Sequence, residues 1–199
     1  RARQELREGQ MANPENRVEQ LRTEGVIALL SGQPTAALPL LEEVRRLSDR
    51  PLSDSYLAQA YFYRGDRARA EATLDSLTRS SSASAVARAE ATLASFLAAR
   101  GERARAEALL HEVTRGSYMD HHVAYSIGAA YAQLGQPEEA TRWLAQAAHT
   151  GFPCGGWFAW DPLLQPLKAD ARFRQLLAEL ESIREKAETT ERTRTAPRG

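Results

Sequence analysis

The chain has 199 residues with 26 basic and 26 acidic side chains, a formal net charge of zero. Both signs are mixed along its length, which gives no electrostatic footprint for nucleic acid, and no apolar run approaches the ~20 residues that a membrane helix needs, so no membrane insertion by this segment is expected. The single cysteine, Cys154, excludes an internal disulfide framework and leaves the compartment open between a reduced cytoplasm and a cysteine-poor periplasmic setting.

In chain order, residues 1–17 read as a partial repeat or a linker helix. Ala2, Leu6 and Pro14 fall within a residue of where the second helix and closing proline of an upstream repeat would lie. This reading implies a fragment of a larger protein. From Val18 onward, apolar residues recur at helical spacing with no strand-like alternation. The runs are punctuated by Gly32, Gly65, Gly101 and Gly135, separated by 33, 36 and 34 residues. Each glycine closes one helical run, where a left-handed residue costs it little, and another run begins at once. Pro34 and Pro137 suit first helical turns, Asp66 can cap the helix after Gly65, and Ser84 and Asp120 are candidate caps for later helices. The spacing predicts four helix-turn-helix units at about 18–50, 51–86, 87–120 and 121–154.

Beyond them, residues 155–186 carry Trp157, Phe158, Trp160 and Phe173. These are expected to cap the exposed apolar end of a stacked array, with Asp161 and Asp170 starting short helices; an aromatic ligand pocket is the other reading of the cluster. Residues 187–199 are polar and expected to fray.

The four units align position by position. Gly25, Ala28, Gly32, Ala37, Leu41 and Val44 correspond to Ala58, Tyr61, Gly65, Ala70, Leu74 and Leu77. The next two sets are Ala94, Leu97, Gly101, Ala106, Leu110 and Val113, then Gly128, Tyr131, Gly135, Ala140, Leu144 and Ala147. This pattern resembles the tetratricopeptide (TPR) repeat family over about residues 18–154, with a period near 34 residues. It lacks the family's large aromatic near the start of each first helix, where Leu21, Asp54, Glu90 and Ala124 stand, and most of its closing prolines. The resemblance implies an all-α fold: a right-handed superhelical solenoid of about four repeats with a flanking N-terminal helix and C-terminal capping helices. The run from Asp161-Pro162 to Phe173 resembles the closing segment of bacterial members fused to signalling or regulatory domains.

No constellation for catalysis stands out, so the chain is not read as an enzyme. His111, Asp120, His121 and His122 fit no zinc spacing, and neither a metal nor a cofactor is expected. The family resemblance implies instead that the first helices line a concave peptide-binding face. By register these residues are Arg22, Tyr56, Gln59, Tyr63, Arg88, Thr92, Ser95, His122, Tyr125 and Ser126. Arg22 and Arg88 point to a mildly acidic protein or peptide partner. The Lys and Asn set by which some family members clamp chaperone tails is missing: Arg22 pairs with Val26, and Ser55 with Gln59. The expected function is a protein–protein interaction scaffold, the sensing or docking region of a larger bacterial signalling protein; the alternative is a stand-alone chaperone or assembly factor for a secretion or pilus-type system.

Overall fold

The computed structural model describes residues 14–48 and 51–195, and the reading of Arg1 to Gln10 as half a repeat lies outside them. The described residues are helical throughout, with no strand. Four hairpins follow one another: α1 (Pro14–Leu30) with α2 (Pro34–Leu47), α3 (Pro51–Tyr63) with α4 (Arg67–Thr78), α5 (Ala83–Ala99) with α6 (Arg103–Arg115), and α7 (His121–Gln133) with α8 (Pro137–His149). The first helices also pack side by side, α1 on α3, α3 on α5 and α5 on α7, while α2 packs on α3 and α4 on α5. The result is a layer of first helices backed by a layer of second helices.

Each hairpin turn is built the same way. Gly32, Gly65, Gly101 and Gly135 have φ of 75°, 81°, 79° and 74°. The next residue donates its N–H to the carbonyl five positions back: Gln33 to Ala28, Asp66 to Tyr61, Glu102 to Leu97 and Gln136 to Tyr131, each at 2.9 Å. This is a left-handed helix termination that satisfies carbonyls left open at the helix end. Asp66 accepts from the Arg69 N–H at 3.1 Å, and Pro34 and Pro137 occupy first turns. One cap differs from expectation. Ser82, not Ser84, caps α5 by accepting from the Ala85 N–H, and Ser84 instead hydrogen-bonds the Ser82 hydroxyl. Three consecutive serines offered equivalent oxygens, and the helix begins after the third.

Small residues bring the two layers together. Ala37, Ala70, Ala106 and Ala140 are fully buried, with Leu41, Leu74, Leu110 and Leu144 beside them. A Cβ added to Gly128 would lie 2.8 Å from Leu144 Cγ and 3.1 Å from the Ala140 carbonyl oxygen; one added to Gly25 would lie 3.0 Å from Leu41. Side chains at these sites would therefore wedge the hairpins apart.

The outer stripe of α1 differs from its counterparts. Ile27 is 59% exposed, whereas Ala60, Phe96 and Ala130 at the same repeat position are at most 1% exposed. Gln20 and Glu24, hydrogen-bonded to each other at 2.8 Å, stand where Ala89 and Ile127 are buried in later repeats. A helix stacked here as α2 stacks on α3 would bury these polar groups.

After α8 the chain reverses at Gly151 (φ 136°). It forms the short α9 (Gly155–Trp160), a 3-10 helix (Pro162–Leu167) and α10 (Ala171–Thr195). α10 packs on α8 and α9 at the end of the array. The helix continues to Thr195, past residue 186 where fraying is expected, and Arg184 within it pairs with Glu181 and Glu188 one turn away. The aromatic stretch does something the sequence does not indicate: it lies across the free face of the first-helix layer and reaches Tyr63 and Gly32.

Candidate functional site

The aromatic segment divides the free face of the first helices into a filled half and an open half. The filled half lies toward the C-terminal ends of α1, α3 and α7. There the indoles of Trp157 and Trp160 meet the Tyr63 ring edge-on, with centroids 5.6 and 5.4 Å away. Trp160 rests on the α1–α2 turn so closely that a Cβ on Gly32 would lie 2.5 Å from its indole nitrogen. Asp161, completely buried, sits at the centre. It accepts from the Tyr63 hydroxyl at 2.7 Å, from the Leu163 N–H at 2.8 Å and from the Tyr125 hydroxyl. Burial pushes the Asp161 carboxyl up to about 6, against the pull of these three donors. Burial, reinforced by the Asp161 charge, raises both tyrosine hydroxyls well above the ordinary range. On α7, Gln133 donates to the Leu163 carbonyl at 2.6 Å and anchors the 3-10 helix.

The open half is a narrow cleft toward the N-terminal ends of α3, α5 and α7 that opens partly to solvent. Seven of the ten residues expected on the concave face line it: Tyr56, Gln59, Arg88, Thr92, His122, Tyr125 and Ser126. Tyr56, Thr92 and Ser126 occupy one repeat position on three successive first helices, which explains how residues so far apart in sequence converge. The Thr92 and Ser126 hydroxyls face each other at 3.4 Å, and the Tyr56 hydroxyl meets His122 Nε2 at 3.1 Å. Burial, then the neighbouring Arg88 and His121, lowers His122 to about 3, so it is a neutral imidazole near neutral pH.

The other three expected residues fall elsewhere. Tyr63 lies beneath the two indoles, in the filled half. Ser95 is buried, its hydroxyl donating to the Thr92 carbonyl at 2.7 Å. Arg22 lies outside the cleft lining and bonds Glu19 through Nε at 3.0 Å. The charges behind the acidic-partner expectation are also offset. Arg88, only 12% exposed, donates to Asp120 Oδ2 at 2.6 Å and 3.1 Å. Asp120 further accepts from Tyr118 at 3.0 Å and caps α7 by accepting from the His122 and Val123 N–H groups. Burial raises its carboxyl and these hydrogen bonds together with Arg88 lower it; the balance lies below the usual value. The cleft therefore presents aromatic edges and neutral hydrogen-bonding groups rather than net positive charge.

Sequence reasoning did not find Leu30, Ser55, Phe152 and Trp157 in the lining. Phe152 and Trp157 come from the C-terminal segment, and nothing local in the sequence indicates that it turns into the cleft. Among the described residues, no three His, Cys, Asp or Glu side chains gather as metal ligands. The His121 and His122 rings pack instead with Phe152, at 6.2 and 5.0 Å. A roomier and more open depression lies between α5 and α6, where Glu90 is raised by burial and by Glu112; none of the expected residues lines it. No helix among the described residues is long and apolar enough to cross a membrane. Compared with family models, curated proteins and solved structures, the chain matches none of them.

Proposed function

We propose that this chain is a solenoid of four TPR-type repeats acting as a protein–protein interaction scaffold, which receives a short extended segment of a partner protein in the cleft formed by α3, α5, α7 and the C-terminal aromatic segment. The TPR assignment is supported by four turns of identical geometry in one register and by the buried alanine at the same place in every second helix. The binding role is supported above all by one observation: Tyr56, Thr92 and Ser126, from equivalent positions of successive repeats, converge with Gln59, His122 and Trp157 on one partly enclosed, aromatic-walled cleft. Such surfaces concentrate binding energy in a few aromatic and arginine side chains. Because Arg88 and Arg22 are already paired, we assign the partner neutral hydrogen-bonding chemistry in the cleft, with weak salt dependence. Placement in a larger bacterial signalling protein rests on the sequence resemblance alone, and no catalytic role is proposed.

The test uses a partner isolated from the native host and titrated against purified chain. Gln59 is half-buried at the cleft wall, so Gln59→Trp fills the cleft without emptying the core. It should weaken binding at least about tenfold, roughly 1.4 kcal/mol. A double substitution of the exposed Arg105 and Glu107 on α6 should leave binding unchanged. The reverse pattern would move the partner to the second-helix layer and refute the cleft assignment.

A further inference from the structure

We propose that Asp161 is a proton-linked latch, through which the segment from Trp157 to Leu164 docks more firmly on the face of α3 and α7 when its carboxyl carries a proton. The proposal concerns the cap alone and does not depend on the partner assigned above.

The geometry is that of a bridge. One carboxyl group ties three separate elements: α3 through the Tyr63 hydroxyl, α7 through the Tyr125 hydroxyl and the start of the 3-10 helix through the Leu163 N–H. These are the groups that face it, and among the described residues the two tyrosines are its titratable neighbours. No Arg, Lys or His side chain among the described residues faces this carboxyl, in contrast to Asp120, which has Arg88. A completely buried carboxylate without a cation is costly, and three donors offset that cost only in part. Protonation removes the buried charge while every bond can persist, because a tyrosine hydroxyl turns from donor to acceptor.

The sign follows from linkage. In an undocked segment Asp161 would titrate in the ordinary range near 3.8, whereas docked it titrates at about 6. The docked state therefore holds a proton over a range where the undocked state has lost it. Docking is strongest below the lower value and weakens as pH rises through the higher one, by about tenfold between pH 5 and pH 8.

The experiment is hydrogen exchange of the full chain, read by mass spectrometry at a series of pH values from 5 to 8 and corrected for intrinsic exchange. Peptides spanning residues 155–167 are compared with peptides from α5 and α6. Their protection relative to α5 and α6 should fall about tenfold across that range. Asp161→Asn, which cannot titrate, should remove this dependence. Tyr63→Phe deletes a donor that favours the ionised form and should move the midpoint upward. Cap protection independent of pH in the wild-type chain would overturn the proposal, as would an unchanged midpoint in Tyr63→Phe or the same pH dependence in Asp161→Asn. The wild-type and Tyr63→Phe series decide the matter even if Asp161→Asn loosens the cap at every pH.

Discussion

Gly32 and Gly65 hold the same place in successive repeats and nearly the same backbone conformation, with φ of 75° and 81°. They differ in what surrounds them. A Cβ on Gly65 would meet nothing within 4 Å, whereas one on Gly32 would overlap the Trp160 indole, with three ring atoms at 2.5 to 2.7 Å. Gly65→Ala therefore measures the left-handed backbone term alone, roughly 1–2 kcal/mol. Gly32→Ala adds the displacement of an indole held against Tyr63 and Trp157, with ring centroids 5.4 and 5.0 Å away. Overpacking of that kind costs about 1–3 kcal/mol, so the two substitutions should differ by that amount. Gly135→Ala, also with open space around it, is a second reference. Urea unfolding followed by tryptophan emission and far-ultraviolet circular dichroism reads both the stability and the environment of the cap. Equal losses at Gly32 and Gly65, with unchanged emission, would show that Trp160 does not rest on the first turn and would refute the course described for the C-terminal segment.

Two further outcomes are expected. Ala140→Leu inserts bulk where the fully buried Ala140 lies beside Gly128; it should cost about 1–3 kcal/mol in the same unfolding assay, and an unchanged midpoint would mean that the repeat register is wrong. His122, lowered from 6.5 to about 3, contributes stability that is present above pH 6.5 and lost as pH falls toward 3, while Asp161, raised from 3.8 to about 6, contributes stability that is present at low pH and lost as pH rises through 6. Between pH 7 and pH 4 these amount to about 3 and about 2 kcal/mol of opposite sign. Their joint effect is small, but His122→Gln should be more stable at pH 4 than at pH 7 relative to the wild-type chain, and a pH profile parallel to wild type would contradict the burial of that imidazole.

The periodic part of the molecule is legible because the sequence repeats its own physics four times. A glycine can close a helix in the left-handed region, an alanine can admit a close helix crossing, and both types recur in register, so hairpin positions follow directly from residues such as Gly101 and Ala106. The convergence of Tyr56, Gln59, Arg88, Thr92, His122, Tyr125 and Ser126 also follows from register, since equivalent positions on stacked helices share a face. The fate of Tyr63 does not. It has the same credentials as Tyr56, and only the course of a segment about a hundred residues later covers it. The pairing of Arg88 with Asp120 is hidden for a similar reason: Asp120 is readable as a helix cap, but its second oxygen serves a partner 32 residues away. Composition marked Trp157 and Trp160 as buried aromatics without indicating which surface they bury.

Stacked repeats ordinarily behave as one-dimensional systems, in which each unit feels only its neighbours and the ends can open independently. The aromatic segment departs from that arrangement. Through Asp161 it joins the second repeat to the fourth, with the Tyr63 contact spanning 98 residues of chain, and through Trp160 it touches the first turn as well. The molecule is thereby closed on one face like a bow held by its string. Opening of an inner hairpin strains contacts with a segment that belongs to the far end, so unfolding is coupled along the whole array. Forming those distant contacts adds loop-closure entropy that neighbour-only stacking does not carry.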